Sequence, residues 1–160
     1  MRVKKWMSLI TLGLALVVLV ACGQKSTEEI IKTELKDSYV GYSNSKSYQG
    51  WMFIEGADEL TFDKKENSIT NSSGDKVYFA VVAEKDIPST VKGIIGSLEN
   101  ELKGTDNFTI ITSREKDPTL EDSEGGYQVA LSDGGKTIRV FELSRTSRDY
   151  GYYDFTGKAE

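Results

Sequence analysis

Apolar positions divide this chain into a leader and a patterned body. Ser8 to Val20 form an apolar run of 13 residues without a charge, after a start carrying Arg2, Lys4 and Lys5. Beyond it, Ser26-Thr27-Glu28-Glu29 has capping-box spacing ahead of Ile30, Ile31 and Leu35, which predicts a short helix over 27–37. Trp51 to Ile54, Leu60 to Phe62 and Ser68 to Thr70 read as strands, and Asn71 to Asp75 as a turn. Val77 to Ala83 is apolar on both faces, which predicts a central strand. Val91, Ile94, Ile95, Leu98 and Leu102 recur at helical spacing, which predicts an amphipathic helix over 89–103 with Ser89 as N-cap and Gly104 as stop. Gly93 and Gly96 weaken that helix, and either close approach to a sheet or mere tolerance would explain them.

Phe108 to Thr112 reads as the next strand. Tyr127, Val129 and Leu131 alternate with Gln128, Ala130 and Ser132, giving one buried and one polar face. Asp133-Gly134-Gly135 is a hairpin turn, Thr137 to Leu143 returns, and Tyr150 to Phe155 adds an edge strand. The expected fold is α+β: an antiparallel sheet packed on one face by helix 89–103 and preceded by a short N-terminal helix.

The leader ends in Leu19-Val20-Ala21-Cys22. Basic start, apolar stretch, small residue and cysteine follow in the order of a secretory signal. These four residues resemble the lipobox of bacterial lipoproteins, and the lysine-rich start resembles leaders of Gram-positive bacteria. The resemblance covers residues 1–22. It implies export, cleavage before Cys22, lipid on that cysteine and a site of action on the extracytoplasmic face of the cell membrane. Trp6 to Ala21 is only 16 residues, about 24 Å of helix, against the ~20 residues a membrane span needs. The expected organisation is a signal peptide over 1–21, a lipidated cysteine with tether and short helix over 22–37, and one domain over 38–160. Some leaders of this kind also release short apolar signalling peptides, which here would lie within Leu14 to Ala21.

Composition narrows the chemistry. Without the leader's three basic residues, 17 basic face 25 acidic, a net charge of −8. That balance argues against nucleic acid as partner. Histidine is absent and Cys22 is the only cysteine. Ser-His-Asp and Cys-His catalysis, disulfides and His or Cys zinc sites are therefore excluded once Cys22 is lipidated. No cofactor motif or metal site emerges. Gly135-Lys136-Thr137 lacks the preceding glycine and following helix of a phosphate loop. Asp117, Glu121, Asp122 and Glu124 lack EF-hand spacing and read as a solvated loop.

Two segments stand out as binding candidates. Arg139, Arg145 and Arg148 fall near Tyr150, Tyr152 and Tyr153, a local reversal of charge suited to phosphate, carboxylate or a peptide; a soluble hairpin turn is the plainer reading. Tyr42, Tyr48 and Trp51 sit in a segment with the composition of adaptable binding loops, or pack along a sheet edge. The function expected is a non-enzymatic surface lipoprotein binding an envelope protein, wall polymer or cationic peptide. One alternative is an immunity or exclusion lipoprotein that captures a membrane-active peptide. Another is an envelope hydrolase using carboxylates such as Glu55, Asp58 and Glu59, and a further one a structural or assembly accessory whose exposed sheet edge a partner chain covers.

Overall fold

The computed structural model describes residues 25–44, 52–143 and 152–160. The expectation of an open sheet packed by a helix is overturned: eight antiparallel strands close into a barrel, each paired with its sequence neighbour and the last with the first. They are β1 (Ser38–Ser43), β2 (Gly56–Asp63), β3 (Ser68–Thr70), β4 (Lys76–Val82), β5 (Asp106–Ser113), β6 (Gly125–Ser132), β7 (Thr137–Glu142) and β8 (Asp154–Ala159). The tail strand is thus no edge, because β8 pairs with both β7 and β1. Of the strand expected over Trp51–Ile54, the described residues 52–54 form no strand. Met52 and Phe53 instead turn inward and are buried in the core, with Met52 in the left-handed region (φ 62).

Alternation explains the core. Tyr39, Leu60, Phe62, Phe79, Phe108, Ile110, Tyr127, Val129, Leu131, Ile138, Val140 and Phe155 point inward and form one buried cluster. An eight-stranded barrel is just wide enough for side chains to fill it. Phe53 closes the packing from one rim, with its ring 4.7 Å from Tyr127 and 5.0 Å from Tyr153. Closure needs small residues at the seam, where Gly41 and Gly157 face each other. A Cβ on Gly41 would lie 2.0 Å from the Thr156 carbonyl oxygen, and one on Gly157 would meet the Phe155 ring at 2.6 Å.

Helix α1 (Thr27–Thr33) is shorter than predicted. Rather than standing between tether and domain, it caps one end of the barrel, burying Ile30 and following it with the buried Leu35. Its Ser26 N-cap accepts from the Glu29 amide at 3.2 Å. The 89–103 helix divides at Leu98 into α2 (Ser89–Ser97) and α3 (Glu99–Leu102), and Pro88 rather than Ser89 takes the N-cap position. Ile94 and Leu98 pack outside the barrel on Ala130, Phe141 and Leu143, a second core separate from the first. The 89–103 pattern therefore marks a buttress on the barrel wall and not the cover of an open sheet.

Candidate functional site: a groove under the outer helix

The connection from β4 to β5 carries a 3-10 turn (Glu84–Asp86), α2 and α3 along the outer wall. Between this strap, the start of α1 and the outward faces of β5 and β6 lies a groove of about 710 Å³, within the ~300–1,000 Å³ usual for ligand clefts. Ile87, Lys92, Ile95 and Gly96 form its roof, Lys25 and Ser26 one edge, and Thr105, Asn107, Thr109 and Gln128 its floor.

The floor is a chain of polar side chains on strand faces turned away from the core. Thr109 Oγ1 donates to Gln128 Oε1 at 2.7 Å, and Gln128 Nε2 donates to Asn107 Oδ1 at 2.8 Å. Asn107 Nδ2 then reaches Thr105 Oγ1 and its carbonyl oxygen only at 3.3 and 3.4 Å. Those last contacts are long for N–H···O bonds, so the half-buried Asn107 amide keeps donor capacity toward the groove. Gln128 and Thr109 are themselves buried. Fixed polar groups in a partly desolvated cleft are what orient a bound molecule.

Charges at the edge are balanced. The Lys25 ammonium pairs with Glu34 and lies 3.9 Å from Asp106. The Lys25 hydrogen bond holds the Glu34 carboxyl below its ordinary value, against a smaller opposing effect of burial. Glu84 and Lys92 also line the groove. Val82, Ile87 and Thr109 also border a second, smaller crevice of about 190 Å³ walled by Val91, Ile111, Leu120 and Leu143.

Gly93 and Gly96 do not serve close packing, since a Cβ on either would meet no atom within 4 Å. Gly96 borders the groove and Gly93 does not.

None of the sequence-derived binding candidates among the described residues lines the groove. Arg145, Arg148, Tyr150, Tyr48, Trp51 and Cys22 fall outside the described residues. Arg139 is engaged: its guanidinium meets both Asp154 oxygens at 3.1 and 3.2 Å and lies 4.3 Å above the Phe141 ring. Tyr153 is fully buried in the barrel core, while Tyr152 is half-buried. Tyr42 points outward from β1 and is 50% exposed. The described flanks of the two candidate segments pair: the Asn44 amide donates to the Asp154 carbonyl at 3.3 Å.

The carboxylates Glu55, Asp58 and Glu59 do not converge. Asp58 and Glu59 are consecutive on β2 and so point to opposite faces. Asp58 Oδ1 accepts from the Ser72 amide and hydroxyl, tying down a turn, while Glu59 accepts from Ser38 Oγ at 2.6 Å. In the acidic loop Glu124 is taken by Arg114 and Asp122 by Thr119. No metal-ligating group of three or more carboxylates forms among the described residues.

Sequence reasoning missed Asn107, Thr109 and Gln128. Gln128 read as a solvated position on a half-polar strand. The available signal was Ala130, Phe141 and Leu143, apolar on the same outer wall, which meant that something covers that face.

Comparison of the chain with protein-family models, curated proteins and solved structures finds no match.

Proposed function

We propose that this chain is a lipid-anchored protein of the extracytoplasmic membrane face whose barrel is a non-enzymatic binding module, with the groove under α2 as its ligand site. The observation that carries the reading is the hydrogen-bonded chain of buried Thr109 and Gln128 with half-buried Asn107, on the outer wall of a barrel whose interior is filled by side chains. Polar groups placed there are not needed to complete the core, and they face a cleft of ligand size. The anchor rests on the leader: Cys22 with its acyl chains becomes residue one of the mature protein.

Two measurements test this. Mass spectrometry of the protein isolated from membranes of a lipoprotein-processing bacterium should show residues 1–21 removed and a diacylglyceryl group on Cys22; an intact leader would overturn the anchor. A thermal-shift panel of wall fragments, teichoic acid, anionic lipid and cationic peptides tests the site. A ligand at 100 times its Kd should stabilise the fold by about 2.7 kcal/mol. The stabilisation should vanish in Gly96→Phe, which fills the groove from a position with open space, and survive in Gly93→Phe, which does not border it. Stabilisation that survives both substitutions would move the site elsewhere.

A further inference from the structure

Resting on that reading of the groove, we infer that its ligand is an extended cationic peptide segment carrying one large apolar side chain, captured at the membrane surface. The groove's lining, its charge and its place on the chain lead there. The floor offers amide and hydroxyl groups from Asn107, Gln128 and Thr109, which match the N–H and C=O groups of a peptide backbone. The adjoining crevice of about 190 Å³, with Ile111, Leu120 and Leu143 on its walls, has the size and apolarity for a single side chain.

The lining disfavours the other envelope polymers. Among the described residues the only aromatic on it, Phe108, is buried in the barrel core, so they offer no ring face for a sugar to stack on. Among its described lining residues the lysines, Lys25 and Lys92, are equalled in number by the acids Glu84 and Asp106, and Lys25 is further paired with Glu34, so they set up no cationic field for a phosphate polymer. The mature chain's charge of −8 attracts a cationic peptide over distance.

The place follows from chain length. Lys25 forms one edge of the groove and stands three residues after Cys22. Three residues of chain reach at most about 11 Å, so lipid on Cys22 holds the groove's edge beside the membrane surface. A cationic segment with an apolar anchor at that surface has the chemistry of a membrane-active peptide. Capture there would lower the free peptide at the membrane, as an immunity lipoprotein does.

The test is affinity selection from a random decapeptide library on the lipidated mature protein in nanodiscs. Wild type, Gly96→Phe, Gly93→Phe and Leu120→Lys are compared. Leu120 is 47% exposed, so its substitution leaves the core intact. The expected result is that wild type and Gly93→Phe enrich peptides with Lys or Arg and one large apolar residue. Gly96→Phe should lose retention by about tenfold or more, and Leu120→Lys should retain peptides without the apolar preference. Retention unaffected by Gly96→Phe, or no enrichment at all, overturns the peptide assignment. If the thermal-shift panel meanwhile gives a wall polymer or lipid as a Gly96→Phe-sensitive ligand, the groove stands as the site and its peptide specificity falls. Silence in both experiments overturns the site as well.

Discussion

The Tyr39 hydroxyl donates to the Gly135 carbonyl at 2.8 Å and accepts from the Lys36 amide at 2.9 Å, joining the start of β1 to the β6–β7 turn across 96 positions of sequence. One phenol thereby fixes where α1 ends, where β1 begins and how the far hairpin sits over them. Tyr39 is fully buried, and burial pushes its hydroxyl pKa up, so the proton needed for the bond to Gly135 stays in place through neutral and mildly alkaline pH.

Tyr39→Phe should therefore destabilise the barrel by about 1–3 kcal/mol, because the Lys36 amide and Gly135 carbonyl lose their shared partner. Urea unfolding followed by circular dichroism reads this directly. A loss under about 0.5 kcal/mol would mean that water replaces the phenol without cost.

The same junction depends on Gly135. Its φ is 79°, and a Cβ there would sit 1.7 Å from the Glu34 carbonyl oxygen. Gly74 has a similar φ of 86° but open space around it. Gly74→Ala should cost the left-handed strain alone, about 1–2 kcal/mol, and Gly135→Ala clearly more, since α1 must also shift. Equal losses would show that α1 does not hold its position against the turn.

Helix α2 should respond in the opposite direction. Gly93→Ala and Gly96→Ala each add helix propensity at a site with room for the methyl group, and each should stabilise by about 0.5–1 kcal/mol. A thermal melt with an unchanged or lower midpoint would mean that the strap needs those glycines to bend.

Acid should loosen the β5–β6 loop before the barrel. The Arg114 guanidinium and amide hold the Glu124 carboxyl below its ordinary value of 4.5. A carboxylate with a depressed folded-state pKa contributes stability that is present above its unfolded value and lost as pH falls through the folded one. Amide exchange at Arg114 and Glu124 should thus rise as pH falls below the ordinary carboxyl value of 4.5, after correction for intrinsic rates, and in Glu124→Gln it should be high at neutral pH already. The pair is largely exposed, so the global melting temperature should move little.

Local pattern was legible in the sequence and global closure was not. Inward alternation at Tyr127, Val129 and Leu131, the Asp133-Gly134-Gly135 turn and the apolar face of α2 follow from nearest neighbours. Closure rests on β1 pairing with β8, from opposite ends of the chain. The β1 segment read equally as a binding loop or as residues packed along a sheet edge, because Gly41 and Ser43 interrupt the strand propensity of its tyrosines. Its reason for Gly41 is the facing Gly157, which only the closed register reveals. The groove was hidden likewise, since Asn107 and Gln128 meet only once β5 and β6 pair beneath a strap folded back over them.

The most direct test of the groove as the ligand site is chemical-shift mapping of the lipidated mature protein in nanodiscs with the best-retained library peptide. The account predicts shifts in the side-chain amides of Asn107 and Gln128 and in the backbone amide of Gly96, with Tyr42 and Asp154 near the opposite rim unmoved. Shifts confined to Tyr42, Tyr152 and Asp154, with Asn107 and Gln128 silent, would contradict it.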